Sequence, residues 1–423
     1  MVRFSQNKAL WIIFLTIFID MLGIGILIPV FPLLITHGSE FRVTPLDWSQ
    51  AESFIFAGWL LAVFPILQFF CTPILGQLSD KYGRRKLLIL SISGTAVSYL
   101  LFAYGILTRN IELLFFSRML DGASGGNISI AQAVIGDVSA AKDRAKNFGL
   151  VGVSIGLGFV LGPFIGGKLS DPALFIAFNA ATPFWFAGAL SFVNLMLVYS
   201  YLPETSSLKS TLKIDYNKPL HNIFKSFMIP NLRKIIPALF LYNAGFTFFT
   251  TFWGIILLNQ FDFTQGMVGN YFAYLGLMII FAQGGVVRRL SGKVTDYKVL
   301  YFSFALTAVC LFAYYLIPNH AAHIWIYCIP PFLAIATALS KAFSSALIAR
   351  TTDPSVLGEA MGVNSSTNAL AQAIPSLLAG YVAAHQARLT VLLGALLVIL
   401  AGIYFARNYR ECDTFIENTK VKK

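Results

Sequence analysis

Apolar runs of similar length alternate with short polar segments along nearly the whole chain. An α-helix needs roughly 20 apolar residues to cross a bilayer. Twelve runs meet that length, near residues 9–35, 53–77, 87–107, 112–136, 147–168, 177–201, 235–258, 266–287, 299–317, 323–348, 357–384 and 388–406. The runs are continuous, whereas membrane β-strands alternate apolar and polar residues over short segments, so the chain is predicted to be an all-α membrane protein. The first run follows Arg3 and Lys8, as in a signal peptide, but it extends past an h-region and lacks a small-x-small cleavage site. It is therefore expected to remain as a helix.

The longest polar stretch, residues 203–233 with Lys209, Lys213, Lys218 and Lys225, divides the runs into six and six. The expected organisation is an N-terminal six-helix bundle over 1–202, a cytoplasmic linker over 203–233, a C-terminal six-helix bundle over 234–406 and a cytoplasmic tail over 407–423. Composition agrees: 57% of the 423 residues are hydrophobic and 12% charged, against about 25% charged in soluble domains, and mean hydropathy is +0.71. A net charge of +12 raises the question of nucleic-acid binding, but its placement answers it. Of the 31 Lys and Arg, 25 fall on the side of the N-terminus, four in the opposite loops, and two, Arg118 and Lys341, inside spans. This is the positive-inside pattern, so the excess charge sets topology, with both termini cytoplasmic; the compact loops suggest a bacterial inner membrane.

The loop after the second span, Gly76-Gln-Leu-Ser-Asp-Lys-Tyr-Gly-Arg-Arg-Lys86, packs two glycines, one carboxylate and four cations between apolar runs. Glycine permits a tight turn, and Asp80 can pair with Arg84. Arg288-Arg-Leu-Ser-Gly-Lys-Val-Thr-Asp-Tyr-Lys298 is a degenerate echo in the second half, as expected of a transporter built from repeated halves. The fifth span carries Gly149, Gly158, Gly162-Pro163, Gly166 and Gly167. In lipid, small residues let backbones approach closely, and Pro163 removes a helical hydrogen bond.

The first of these loops resembles the signature G-x-L-x-D-x-x-G-R-R/K of the major facilitator superfamily, and the fifth-span pattern resembles the antiporter signature of its proton-coupled exporters. Asp20-Met-Leu-Gly-Ile-Gly-Ile-Leu-Ile-Pro29-Val-Phe-Pro32, Gln68-Phe-Phe-Cys-Thr-Pro73 and Arg118-Met-Leu-Asp121-Gly122 resemble the drug:proton antiporter branch, tetracycline exporters in particular. The similarity lies mainly between residues 15 and 170. It implies the major facilitator fold, twelve helices in two six-helix bundles. It also implies that Gly76, Asp80, Gly83, Arg84 and Arg85 act in conformational gating, stabilising the outward-facing arrangement. Gly158, Gly162, Pro163, Gly166 and Gly167 are grouped with them, as are Asp137 and Arg144 in the following loop. The chain departs from tetracycline pumps at Ser98, where they usually carry an aspartate, and in having no histidine in the eighth span. That speaks against tetracycline itself.

An ionisable residue inside a span is expensive and usually functional. Four qualify: Asp20, Arg118, Asp121 and Lys341. Asp20 lies mid-span, one turn before Gly23-x-Gly25, where desolvation disfavours a charged carboxylate; it reads either as a proton site or as a carboxylate bonded to a neighbouring helix. Arg118 and Asp121, three apart, share a helical face and either neutralise each other or, as the resemblance implies, flank the proton path. Asp20, Arg118 and Asp121 are thus the candidate proton and substrate coupling residues. Lys341 lies mid-span without a carboxylate within a turn in sequence. Asn364, Asn368 and Gln372 recur every four residues and either line the cavity or glue helices. With Lys341, Gln68, Asn243, Trp253 and Gln283 they make up the candidate substrate cavity.

No Walker-type Gly-x4-Gly-Lys-[Ser/Thr] is present, nor a nucleophile with its base. Cys71, Cys310, Cys328 and Cys412 form no disulfide or metal pattern, and His320-x2-His323 lacks supporting ligands, so neither an enzyme, a cofactor nor a metal site is expected. The predicted function is a monomeric, proton-coupled antiporter exporting a small organic molecule or drug by alternating access. The alternative is a proton-linked importer of an anionic metabolite or siderophore-like metal chelate, favoured by Arg118 and Lys341.

Overall fold

The computed structural model describes residues 2–37, 39–139, 144–205, 214–218, 220–221, 232–320, 323–352 and 357–409, and among these the regular structure is helical throughout. In chain order the helices are α1 (Val2–Ile35), α2 (Gln50–Tyr82), α3 (Arg84–Thr108), α4 (Ile111–Ser124), α5 (Asn127–Val138), α6 (Arg144–Leu169), α7 (Thr182–Tyr201), α8 (Leu232–Gln260), α9 (Gln265–Phe281), α10 (Asp296–Leu316), α11 (His323–Cys328), α12 (Pro330–Thr351), α13 (Leu357–His385) and α14 (Arg388–Tyr409). Beyond α9 the chain continues through a π-helical stretch, Ala282–Val287, and a last turn, Arg288–Leu290.

Local chemistry fixes the helix starts. Ser49 and Glu52 form a reciprocal capping box on α2: the Glu52 N–H donates to Ser49 Oγ at 3.2 Å and the Ser49 N–H to Glu52 Oε2 at 2.7 Å. Asn110 caps α4 through the Leu113 N–H, and Thr264 caps α9 through that of Met267.

Among the described residues, ten helical segments are long and apolar enough to cross a membrane. The two runs that do not qualify are the expected fourth and eleventh. The fourth is not the single helix the sequence suggested. It breaks at Gly125–Gly126 into α4 and α5, of 14 and 12 residues. The eleventh, α13, is a continuous 29-residue helix, but its polar row dilutes its apolar character. The tenth span also differs from expectation, being divided at Ile329 into α11 and α12.

The break in the fourth span has a hydrogen-bond account. Inside a membrane, a carbonyl freed from helical geometry must be satisfied by protein. Gln68 Nε2 and Thr72 Oγ1, one turn apart on α2, both donate to the Gly125 carbonyl, at 3.3 and 3.4 Å. From α3, the Ser91 hydroxyl donates to the Ser124 carbonyl.

Packing differs between the two sides of the molecule. On the side opposite the N-terminus, one apolar core mixes both halves of the chain: Ile35, Phe54, Ala57 and Phe184 pack with Phe248, Phe252, Ile255, Ala379 and Ala383. Backbones of the two halves nearly touch there. A Cβ on Gly58 would lie 2.9 Å from Gly380 Cα, and one on Gly167 would lie 3.0 Å from Gly269 Cα. Trp59 Nε1 also donates to Tyr381 Oη at 3.2 Å. On the N-terminal side, Ala9, Ile13, Leu88, Val134, Val198 and Leu202 make a core from the first half alone. Gly76, Gly284 and Gly285 there have nothing within 4 Å of a Cβ position. Among the described residues, the halves are therefore joined on the far side, and the N-terminal side shows no comparable shared core.

Two outcomes follow from this packing. Gly380→Val drives a side chain into the Phe54 carbonyl, 2.7 Å from the Cβ position; overpacking of this kind costs about 1–3 kcal/mol. It is expected to open the far side, read as faster maleimide labelling of an Ala379→Cys reporter in a background without native cysteines. Gln68→Leu with Thr72→Val strips the donors that α2 gives the Gly125 carbonyl, which should cost about 1–3 kcal/mol and lower the detergent-phase melting temperature.

Candidate transport site

The broken fourth span assembles a polar cluster from four helices. Asn127, the first residue of α5, is buried, and its Nδ2 donates to Asp20 Oδ1 on α1 at 3.0 Å and to Thr95 Oγ1 on α3 at 3.3 Å. Because α5 begins at Asn127, Asp20 faces a helix N-terminus, whose partial positive charge suits an anion. Arg118 and Asp121, on α4, are both buried and joined through Arg118 Nη1 and Asp121 Oδ2 at 2.9 Å. The guanidinium lies 4.6 Å from the centroid of the Phe64 ring. Thr95 in turn accepts the Ser98 hydroxyl at its carbonyl at 2.8 Å, and Asp121 is close enough to Asp20 for their charges to interact. Asp20, Arg118 and Asp121 thus share one electrostatic cluster. Two of its polar atoms, Arg118 Nε and Asn127 Oδ1, are buried without a hydrogen-bond partner.

In the second half, Asn243 on α8 donates from Nδ2 to Asn368 Oδ1 on α13 at 2.8 Å. Asn364 is half-buried and Gln372 exposed on the same row of α13. Gln283 sits in the π-helical stretch after α9, which packs on α12; such bulges are frequent at functional sites. Lys341, mid-way along α12, is exposed beside the buried Leu339, Ser340 and Phe343.

One cavity expectation is corrected. Trp253 is only 1% exposed and is packed into aromatic core, with ring centroids 4.5 Å from Tyr314 and 5.1 Å from Phe249; its size and aromaticity serve packing within the second half. Gln68, half-buried on α2, gives one N–H to the Gly125 carbonyl and so supports the break.

At the N-terminal side the signature loop folds on itself. Gly83 has φ +106, a backbone that side chains rarely adopt, and Glu204 occupies the place a Cβ would take. Arg84 bridges Asp80 Oδ1 at 2.5 Å and Asp137 Oδ2 at 3.2 Å, while its N–H donates to Glu204 Oε1 at 2.8 Å. Thr205 Oγ1 donates to Asp137 Oδ2 at 3.2 Å, and Arg85 donates to the Tyr199 carbonyl. These described partners belong to the first half and to the start of the linker. The Gln77 amide also receives the linker, accepting from the Asp215 N–H at 2.9 Å and donating to the Asp215 carbonyl at 3.1 Å. The side chain of Arg144 lies outside the described residues.

The glycines of α6 are a packing surface. Cβ atoms on Gly158, Gly162 and Gly166 would strike Met21, Leu22 and Ile26 of α1, placing α6 directly beside the helix that carries Asp20. Gly167 turns instead to Gly269 of α9, and Gly269 also faces the Pro163 carbonyl. Of the histidines, His320 pairs through Nδ1 with Asp262 Oδ2 at 2.6 Å and His323 Nε2 meets the Phe261 carbonyl at 2.8 Å, so each ring has its own separate partner. Cys328 is exposed, unlike the buried Cys310; Cys412 lies outside the described residues.

Sequence reasoning missed Asn127, Thr95, Thr72 and Glu204. The consecutive Gly125-Gly126 before Asn127 was the available signal for the first. Nothing local marked the others, since each acts on a distant helix.

The Major Facilitator Superfamily description matches residues 13–342. A class H tetracycline resistance protein from Pasteurella multocida is 27% identical, covering 95% of this chain and 96% of its own. A class B tetracycline resistance protein from Escherichia coli is 30% identical over 68% of each chain. Among solved structures, the human organic anion transporter MFSD10 (TETRAN) aligns at TM-score 0.71 with 23% identity, covering 95% of this chain and 99% of that one. A D-xylose-proton symporter aligns at TM-score 0.77 with 15% identity, covering 96% and 98%. With the family match spanning most of the sequence and the helices apolar enough to cross a bilayer, the chain belongs to the Major Facilitator Superfamily and is an integral-membrane transporter, not an enzyme.

Proposed function

We propose that this protein is a proton-coupled antiporter that exports a small organic molecule by alternating access. Two bundles, 1–202 and 234–406, rock about a central site, with 203–233 linking them. The observation that carries the coupling is the contact of Asn127 with Asp20 at 3.0 Å, beside the Arg118–Asp121 pair. Arg118 and Asp121 neutralise each other, so Asp20 holds the residual charge of the cluster, and a proton is the simplest partner for it in a membrane. The unpartnered Arg118 Nε and Asn127 Oδ1 provide a donor and an acceptor for water beside that carboxylate. The charge asymmetry of the loops supports a cytoplasmic N-terminal side, on which reading the described conformation is inward-open, and the compact loops support a bacterial inner membrane. Relatives named as tetracycline resistance proteins support export of a small organic compound; Ser98 separates this chain from tetracycline itself.

The test uses proteoliposomes with pyranine inside and a panel of lipophilic drugs and organic acids. Addition of a transported compound to the wild-type protein is expected to move protons. Asp20→Asn keeps the size of the side chain and an acceptor for Asn127, and should reduce proton movement at least tenfold while thermal stabilisation by the same compound persists. Arg118→Ala should abolish coupled movement with folded protein still in the membrane. Intact proton-driven transport by either variant overturns the assignment.

A further inference from the structure

The four ionisable residues inside the spans are unequally provided for. Arg118 has Asp121, and Asp20 has Asn127 together with the neighbouring pair. Among the described residues, the Lys341 ammonium has neither an ion pair nor a hydrogen bond. An uncompensated charge is costly at membrane depth, and snorkelling does not relieve it. Lys341 lies about ten residues from either end of α12 (Pro330–Thr351), or roughly 15 Å at the helical rise, beyond the reach of its side chain.

The environment of Lys341 belongs to a binding face more than to a core. Thr337, Lys341 and Ser345 stand at successive i+4 positions and none is buried, while Leu339, Ser340, Phe343 and Leu347 on the other faces are. The hydroxyls of Ser344 and Ser345 both donate to the Lys341 carbonyl at 3.2 Å, so neither is turned toward the ammonium. α12 touches α13 and the π-helical stretch of Gln283. Among the described residues these neighbours bring the amides of Asn364, Asn368, Gln372 and Gln283 together with serine and threonine hydroxyls, and the Asn243–Asn368 contact is neutral. Lys341 is thus the mid-span cation of the second half, set among uncharged donors and acceptors.

Resting on the antiporter reading, we infer that the transported molecule is a small organic anion whose carboxylate or sulfonate supplies the missing counter-ion of Lys341. Charge-assisted hydrogen bonds of this kind are the strong ones. A cationic cargo would meet the ammonium with no carboxylate on α12 to offset it. Arg118 does not compete for the anion, because its charge is already taken by Asp121.

The experiment compares compounds that differ only in charge: 2-naphthoate, 2-naphthamide and 2-naphthylmethylammonium, and hexanoate, hexanamide and hexylammonium. Thermal stabilisation of the purified full chain gives Kd for each. At least one acid is expected to bind at least tenfold more tightly than its amide and its ammonium counterpart. Lys341→Gln should weaken that acid about tenfold or more, and Lys341→Arg should restore it to within about threefold. Equal binding of the amide or ammonium, undiminished acid binding in Lys341→Gln, or no binding by either acid overturns the inference. Should Lys341→Gln lose its unliganded melting transition, the charge series on the wild-type protein decides alone. The same compounds in proteoliposomes under a pH gradient separate the two readings. A Lys341-dependent acid that binds and crosses without moving protons overturns proton coupling and leaves the anion assignment standing. Proton-coupled movement of the amide or ammonium but not the acid does the reverse.

Discussion

A polar backbone inside hydrocarbon has to be satisfied by protein, and this structure is arranged around a place in mid-span where that requirement is met by side chains. At Gly125–Gly126 the fourth span leaves helical geometry, and three residues from two neighbouring helices, Gln68, Thr72 and Ser91, take up the freed carbonyls. The interruption starts a new helix at Asn127 in the interior, which brings an amide donor and a helix N-terminus to Asp20. A straight fourth helix would leave Asp20 without either. The Arg118–Asp121 pair, on the last turns before the break, is held in the same place by the same device.

Close backbone approach plays the complementary part. The glycines of α6 let it lie against α1 along Met21, Leu22 and Ile26, so the helix bearing Asp20 is braced on one side by α6 and bonded on the other through Asn127. Gly167 against Gly269 and Gly58 against Gly380 bring the two halves together on the far side. Such contacts are short-ranged and allow no side chain between the helices, which suits them to an interface that is either fully made or fully parted.

The spans, the polarity of the loops and the signature loop were legible because each is written in consecutive residues. Lipid-facing length demands an apolar run, and Gly83 with Arg84 and Asp80 lies within a single turn. The break was not legible in the same way. Its apolar run, 112–136, continues across Gly125-Gly126, and what stabilises the interruption comes from residues some fifty positions earlier and thirty positions earlier in the chain. Trp253 was misplaced for a related reason: an aromatic near a polar row reads the same whether it faces a cavity or, as here, Tyr314 and Phe249. Side-chain pairs across helices, such as Asn243 with Asn368, could be nominated singly from the sequence, but their meeting at 2.8 Å is a property of the packing.

The two apolar runs that do not qualify as ordinary membrane-crossing helices carry much of the chemistry. The fourth holds Arg118, Asp121 and Asn127; the eleventh holds Asn364, Asn368 and Gln372. A helix can give up apolar surface only if other helices take its place against lipid, and both meet that condition. α4 packs against α2 and α3, and α13 lies against α2 of the first half and α8 of the second. Shelter is thus what permits polarity, and polarity is what the hydropathy of a single segment cannot recognise as a span. α13 has the further property of touching both halves through Gly380 and Asn368. Its polar row therefore lies on the same helix that meets the first half at Gly58, so the second-half amides and the contact between the halves share one rigid element.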